Sequence, residues 1–258
     1  MIVTVANCAP ADIGALVAEN MAVLHARTGR KMLVLDASRR QACARWGAER
    51  ARSRLRPVVA TRAVRGSGFS GELERLQARY DDVAIVVDTD GGNGLECRCA
   101  LIAAHVALVP LTPEHTDVDA RYELIARLNS ARMFNPGLRV LFVAVGGEHD
   151  PASGEMSAMR AHAAQVMSAG MAATILHLPA LRWGADIPGG CASDIDSSSG
   201  AAETVALHEE VYRSAFAVSP ARPNASPGLT HESGGQFLKE QGGGRSPPAV
   251  PGLSDQPY

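Results

Sequence analysis

Short hydrophobic runs alternate with helical patterns along the first 216 residues. Six runs rich in Val, Ile and Leu lack the alternation of polar and apolar positions that marks a half-exposed strand. Such runs predict strands that are buried on both faces, as in a parallel sheet covered by helices. The predicted strands are Ile2–Ala6, Met32–Asp36, Val83–Asp88, Val106–Pro110, Arg139–Val145 and Ala173–Leu178.

Segments with apolar residues three and four positions apart lie between these strands and predict helices. The stop signal at Asn135-Pro136-Gly137 and the N-cap pair Asp150-Pro151 set two of the boundaries. The predicted helices are Ile13–Arg27, Arg39–Ala51, Gly71–Tyr80, Leu95–Ala104, Asp117–Met133, Asp150 to about Ala169, and Ala201–Phe216. Repeated strand–helix units predict an α/β fold with a doubly wound, mostly parallel sheet and helices on both faces.

The composition changes at Val218. Residues 218–258 contain seven of the 15 prolines and seven of the 25 glycines, with few aliphatic residues. A segment of this kind buries too little apolar surface to offset the entropy lost on ordering. We therefore predict one α/β domain over residues 1–217 and a disordered Pro/Gly-rich tail over residues 218–258.

The overall composition excludes several classes of protein. The 258 residues carry a net charge of −2 and are 4% aromatic, which argues against a globally basic nucleic-acid binder and against stacking platforms for single strands. The five cysteines are scattered, and the C-x-C pair Cys97 and Cys99 has no second ligand pair at metal-binding spacing. We expect reduced thiols and no metal site.

The beginning of the chain, MIVTVANCAP, lacks the basic and apolar regions of a signal peptide. No apolar run approaches the length of a membrane span. We expect a cytoplasmic protein.

The first predicted strand leads through a short loop into the helix that starts at Ile13, and this is the place of a phosphate-binding loop in α/β sheets. Six further blocks follow one another along the chain: MIVTVAN, AENMAVLHARTGRKMLVLDAS, VVDTDGG, ALIAAHVALVPLTPEHTDVDA, ARMFNPGLRVLFVAV, and ALRWGADIPGG with HEEVYRSAF. In this order they resemble the ParA/MinD family of deviant-Walker ATPases, bacterial proteins that position plasmids, chromosomes and large assemblies. The resemblance covers roughly residues 1–216 and implies a P-loop NTPase-like fold.

The first loop departs from the family motif K-G-G-x-G-K-T. The signature lysine falls on Ala9, the second lysine on Gly14 and the Mg²⁺-binding hydroxyl on Ala15, while the two early glycines become Pro10 and Ala11. Glycine amides and lysines hold the phosphates in such loops, and proline lacks an amide donor. We therefore expect a degenerate nucleotide site, no bound cofactor and no ATPase activity.

Two acidic residues of the family's site remain, Asp36 and Asp88, each at the end of a predicted strand. The second carboxylate of the family's D-x-D pattern falls on Ser38. One interpretation is a vestigial catalytic or Mg²⁺ site, with Asp88 as the candidate metal ligand. The other, which we favour because no phosphate would share the metal, is that both carboxylates satisfy nearby backbone donors.

A basic cluster follows the second predicted strand and includes Arg39, Arg40, Arg45, Trp46 and Arg50. It is compatible with non-specific contacts to DNA phosphates, with a protein-binding surface rich in Arg and Trp, or with a solvated helix.

Three functions follow from the resemblance and its departures. The first is a ParA-like pseudo-ATPase that acts as a partitioning, positioning or regulatory module and binds a protein partner, either a ParB-like adaptor or a competent ParA-type subunit. A homodimer that ignores ATP is compatible with this function. The second is a functional ParA-type ATPase for DNA partitioning that binds ATP and Mg²⁺ through a divergent site. The third is an unrelated enzyme that uses the same crevice.

Overall fold

The computed structural model describes residues 1–7, 13–66, 68–88, 94–114, 118–195 and 198–216. The strands are β1 (Ile2–Asn7), β2 (Met32–Asp36), β3 (Ala60–Ala63), β4 (Asp82–Asp88), β5 (Val106–Leu111), β6 (Arg139–Gly146) and β7 (Gly170–His177). The α-helices are α1 (Ile13–Arg27), α2 (Ala42–Arg52), α3 (Phe69–Gln77), α4 (Leu95–Ala103), α5 (Val118–Phe134), α6 (Ser153–Ala163), α7 (Leu178–Leu181) and α8 (Ser199–Phe216). A 3-10 helix spans Ala192–Asp194. The predicted tail lies outside the described residues.

The strands form one parallel sheet in the order β3-β2-β4-β1-β5-β6-β7. Alternate residues of β1 enter different apolar cores: Ile2 and Ala6 pack with α3, α4, α5 and α6, whereas Val3 and Val5 pack towards α1, α2 and α8. Helices therefore cover both faces, which explains why the strands are continuously hydrophobic. The predicted doubly wound α/β fold is confirmed.

The strands differ from the prediction mainly in two ways: one strand was missed and another begins earlier. Strand β3 was not predicted, because Ala60-Thr61-Arg62-Ala63 is a half-exposed edge strand without a hydrophobic run. Strand β7 begins at Gly170 rather than Ala173, and its pairing with β6 shifts register between Phe142 and Ala144. The carboxylate of Glu210 accepts hydrogen bonds from the amides of Ala173 and Thr174 at 2.8 and 2.9 Å, which satisfies donors at this irregularity.

Several helix boundaries differ from the predicted ones, with the largest differences at α2, α3 and α6. Helix α3 spans Phe69–Gln77 rather than Gly71–Tyr80. Helix α2 begins at Ala42 rather than Arg39, since the preceding Gln41 has a left-handed backbone with φ of 50°. The predicted N-cap at Asp150-Pro151 is wrong. Helix α6 begins at Ser153 and ends at Ala163 rather than near Ala169.

A polar cluster is buried near the amino ends of the strands. His25 of α1 places Nε2 2.8 Å from an Asp82 carboxylate oxygen and Nδ1 3.1 Å from Nε2 of His208. The ring of Tyr212 stacks on His25 with 3.9 Å between centroids. Arg30 also forms an ion pair with Asp82. The cluster joins α1, β4 and α8 through side chains that need one another to remain buried.

Burial and charge shift the protonation of this cluster. Burial by itself would raise the pKa of Asp82, but hydrogen bonds with His25, Arg30 and the terminal ammonium of Met1 hold that pKa well below its ordinary value. Burial lowers the pKa of His208 to about 4, and the neighbouring His25 ring acts in the same direction. His208 is therefore neutral in the folded chain at physiological pH.

We expect the free energy of unfolding to fall as the pH drops from about 6.5 towards 4. The unfolded chain binds a proton at His208 in this window and the folded chain does not, so the stability present above the ordinary histidine pKa of 6.5 is lost towards the folded pKa of about 4. In urea titrations across this window, His208→Gln should reduce the pH slope by up to about 1.4 kcal/mol per pH unit. The exposed His149→Gln is the control, and equal slopes in the two variants would contradict the assignment.

Candidate functional site

The carboxyl ends of the central strands form the edge at which α/β sheets bind ligands. Asn7 at the end of β1 pairs with Asp88 at the end of β4, and Asp36 at the end of β2 pairs with Val86. The strand order reverses at β1, which lies between β4 and β5. The sequence-predicted residues Ala9, Pro10 and Ala11, and the side chain of Asp88, lie outside the described part of the chain.

Gly14 and Ala15 lie in the first turn of α1, and both are buried. Ala15 belongs to the apolar cluster that includes Cys43 and Trp46 of α2. The Sγ atom of Cys43 is 3.7 Å from the carbonyl oxygen of Ala15, so the start of α2 packs directly on the start of α1. Burial raises the pKa of the Cys43 thiol, and the nearby carboxylates of Glu19 and Asp36 add to this effect. Ala15, the residue on which the sequence resemblance places the family's Mg²⁺-binding hydroxyl, therefore contributes a methyl group to the core.

Asp36 is fully buried and uses both carboxylate oxygens within the protein. Oδ1 accepts hydrogen bonds from the amide and the hydroxyl of Ser38 at 3.0 and 2.6 Å, and Oδ2 accepts one from the Ala44 amide at 3.1 Å. The Ser38 hydroxyl in turn accepts a hydrogen bond from the Gln41 amide at 3.1 Å. The carboxylate thus satisfies an amide in the first turn of α2 and lies at the positive end of the helix dipole.

Residues 182–195, which we call the strap, connect α7 to the end of the 3-10 helix and pack against α2. The indole Nε1–H of Trp46 donates a hydrogen bond to the carbonyl of Gly190 at 3.1 Å. Arg50 donates to the carbonyl of Gly189 at 3.1 Å and forms a two-bonded pair with Asp194 at 2.7 and 2.9 Å. Gly189 has φ of 75°, and a Cβ atom there would lie 2.1 Å from the Arg50 amide nitrogen. Only glycine fits at this approach.

The predicted DNA- or partner-binding surface is wrong at two of its five residues. The relative exposure of Trp46 is 7% and that of Arg50 is 1%, because both are covered by the strap. Arg39, Arg40 and Arg45 are exposed. A buried arginine requires a carboxylate partner, and here that partner lies 144 residues away in sequence.

Helix α1 holds the other side of the strap through Asn20, which is fully buried. Its Oδ1 accepts hydrogen bonds from the amide and hydroxyl of Ser193 at 2.8 and 3.0 Å. Its Nδ2 donates to the carbonyls of Leu16 and Leu181 at 2.8 and 3.4 Å. Sequence reasoning did not identify this role, since a single polar residue in a helical pattern gives no sign of its distant partners.

Protonation states at the strap follow from the same contacts. Burial would raise the pKa of Asp194, but the Arg50 guanidinium outweighs it and the pKa is lowered. Burial raises the pKa of Cys191 to about 12, and the Asp194 charge acts in the same direction. The Cys191 thiol therefore stays protonated and is a poor nucleophile.

The described residues do not suit a metal–nucleotide cofactor at this edge. Ala15, onto which the resemblance places the hydroxyl ligand, offers only a methyl group, and both oxygens of Asp36 already accept hydrogen bonds from amide or hydroxyl donors. Within the described ranges, no group of three or more His, Cys, Asp or Glu side chains can hold a metal ion. The cysteines of this part, Cys43, Cys97, Cys99 and Cys191, are free thiols.

No protein-family model matches this sequence, and no curated protein sequence matches it. Solved structures do resemble it. A plasmid partition protein from Borrelia burgdorferi bound to AMPPNP has a TM-score of 0.59 at 12% identity, covering 83% of this chain and 98% of that one. MinD from Pyrococcus furiosus has a TM-score of 0.56 at 19% identity, covering 82% and 98%.

The MinC:MinD cell division complex of Aquifex aeolicus is also similar, with a TM-score of 0.56 at 11% identity over 87% of this chain and 99% of that one. The chain therefore has the P-loop NTPase-like fold of the ParA/MinD ATPases, as the sequence resemblance implied. None of its described helices is both long enough and apolar enough to cross a membrane.

Replacing Arg50 by Met should lower the free energy of unfolding by about 3–5 kcal/mol, because the partly buried Asp194 loses its two-bonded partner and keeps the longer contact with Arg27 at 3.9 Å and the hydrogen bond from the amide of Cys191. Arg52→Met, at an exposed position of the same helix, should stay within about 0.5 kcal/mol of the wild type. The double variant Arg50→Met/Asp194→Leu should recover part of the loss, since it removes the unpaired charge. Urea unfolding measures all three, and equal losses in the Arg50 and Arg52 variants would disprove the role of the pair.

Asp36→Ala should lower the free energy of unfolding by about 2–3 kcal/mol, because buried donors of Ser38 and Ala44 lose their acceptor. The exposed Asp186→Ala serves as the control. Millimolar Mg²⁺ should leave the melting temperature of wild type and variant unchanged. If Mg²⁺ stabilised the wild type but not the Asp36 variant, Asp36 would be a metal ligand instead.

Proposed function

We propose that this chain is a ParA-like pseudo-ATPase, a partitioning, positioning or regulatory module that acts through protein contacts and not through a nucleotide cycle. The setting would be plasmid or chromosome segregation, or a related transfer or envelope system. The observation that carries the proposal is that Asp36, at the carboxyl edge of the sheet, accepts three hydrogen bonds from Ser38 and Ala44. Both carboxylate oxygens thus hold the segment that leads into α2 and the start of that helix.

The sequence of the first loop supports the same conclusion. Ala9 and Gly14 stand where the family has lysines, so the positive charges that neutralise a triphosphate are missing. Ala15 is packed against α2. A ligand shifts a conformational equilibrium only by its different affinity for the two states. Without groups that bind a nucleotide, ATP has no means of switching this chain.

Protein partners are part of the proposal. One structural neighbour is the MinC:MinD complex, and another is a plasmid partition protein. By analogy, we infer a ParB-like adaptor or a competent ParA-type subunit as the partner of this chain. If the chain forms a homodimer, its association should be constitutive, because the switching lysine is replaced by Ala9.

A second candidate is a functional ATPase with a divergent site, and the AMPPNP-bound neighbour is the observation that favours it. In this case the first loop would hold the phosphates through backbone amides, and a second subunit would supply the positive charge. The chain would then bind ATP and Mg²⁺ and take part directly in DNA partitioning.

Calorimetric titration of the full chain with ATP and with ADP, each with Mg²⁺, should give no binding heat at millimolar nucleotide. Size-exclusion chromatography should give the same elution volume with and without ATP and Mg²⁺. An active ParA-type ATPase titrated under the same conditions is the positive control. Micromolar binding or an ATP-dependent shift in elution would refute the pseudo-ATPase function and support the second candidate.

A further inference from the structure

The exposed apolar side chains of the described residues are concentrated on two neighbouring helices. Nine large hydrophobic side chains in this part of the chain are exposed, and four of them lie on α4 and α5. These four are Leu95, Tyr122, Met133 and Phe134, which are 49% to 77% exposed. Single exposed apolar residues are ordinary, but a group of them rimmed by polar residues marks an interaction surface.

Helix α5 presents one row of residues to solvent, which we call the α5 row. Its exposed members are Tyr122, Glu123, Ala126, Ser130, Met133 and Phe134. Residues three and four positions apart lie on one face of a helix, and the row is about 18 Å long. Its apolar side chains are large at both ends, whereas the residues at its centre are small.

A groove between α4 and α5 lies beside the α5 row and has a volume of about 760 Å³. The buried Leu101 and Ala131 line it, together with the exposed Leu95 and Phe134. The side-chain ridge of another helix packs into a groove of this kind. The surface thus offers a ridge and a groove side by side, which is what a helix pair needs in order to pack against a copy of itself.

The order of side chains along the α5 row is complementary to itself in the reverse direction. A two-fold axis at the middle of the row places Tyr122 opposite Phe134 of the second copy, and Ala126 opposite its Ser130. The large residues at the ends then cover one another, and the small residues at the centre allow the two helix backbones to approach closely. An interface with two-fold symmetry requires this kind of self-complementarity.

The charges at the groove follow the same symmetry. The guanidinium of Arg98 lies over the ring of Phe134, 5.4 Å from its centroid, and has no carboxylate partner among the described residues. Glu123 lies at the other end of the α5 row and forms an exposed pair with Arg127 at 2.9 Å. Reversing the second copy brings its Glu123 to the end at which Arg98 lies. An opposite charge therefore meets Arg98 at both ends of the interface.

We propose that the α5 row and the groove beside it form the interface of a symmetric dimer of this chain, with the two α5 helices antiparallel. This inference goes beyond the proposed function, which names no dimer surface. Its contacts come from side chains of α4 and α5 and require no nucleotide. A lipid surface is a poorer occupant than a second copy, because the acidic Glu123 lies among the apolar residues of the row.

The test is sedimentation equilibrium of the full chain without nucleotide, over a series of protein concentrations. The wild type should form a dimer. Ala126→Arg should raise the Kd of this dimer by about hundredfold or more, because the two-fold axis brings both new charges into the closely packed centre. Ala48→Arg, at an exposed alanine of α2, is the matched control and should keep the Kd of the wild type. Thermal unfolding should show that both variants are folded.

An exchange of charges distinguishes a second copy from any other partner. Glu123→Arg and Arg98→Glu should each raise the Kd of the dimer by about tenfold or more. The double variant Glu123→Arg/Arg98→Glu should recover most of the affinity, because the contact between the copies has only reversed its direction.

A monomeric wild type would overturn the proposal, and so would equal losses in the Ala126 and Ala48 variants or no recovery in the double variant. Binding of a monomeric wild type to phosphatidylserine vesicles, with loss of binding in Ala126→Arg, would assign the surface to a membrane instead. None of these measurements uses a nucleotide, so their outcome is separate from that of the nucleotide titrations.

Discussion

The guanidinium of Arg50 is buried between α2 and the strap, where its charge is tolerated only because Asp194 and backbone carbonyls surround it. Removing a charge from water is costly, and a partner in two-bonded geometry offsets much of that cost. The pair joins segments from distant parts of the sequence. The close approach of Gly189 and the burial of Trp46 depend on this arrangement.

Three sets of polar contacts fix α2 and the strap. The hydrogen bonds of Asp36 fix the start of α2, Arg50 fixes its last turn against the strap, and Asn20 fixes the strap against α1. Each of these contacts joins elements of the fold through polar side chains. This use agrees with the proposal that the chain acts through protein contacts.

The sequence predicted the parts of the fold that have strong local signals. The inner strands are continuous hydrophobic runs, and α1 was predicted with the boundaries observed, Ile13–Arg27. Strand β3 was missed because its four residues lie at the edge and carry little hydrophobic signal. The local sequence pattern is enough to predict an inner strand or helix. The formation of an edge strand depends also on its pairing with neighbouring elements.

The site was predicted less well, for a related reason. Trp46 and Arg50 are of the residue types enriched at interfaces, and only the distant residues Gly190 and Asp194 show that they are buried. The structural use of Asp36 depends on the nearby Ser38 and Ala44, which makes it easier to foresee from the sequence. Predictability thus decreases as the sequence separation between partners increases.

Helix α2 carries both buried and exposed arginines. One face carries Trp46 and Arg50 into the strap, and the opposite face carries Arg45 and Arg52 to solvent. The buried arginine is held by a carboxylate, whereas the exposed ones project from a helix that cannot shift without breaking that pair. Rigid attachment lowers the entropy lost when a surface binds a partner. The buried pair therefore also fixes the backbone from which Arg45 and Arg52 project.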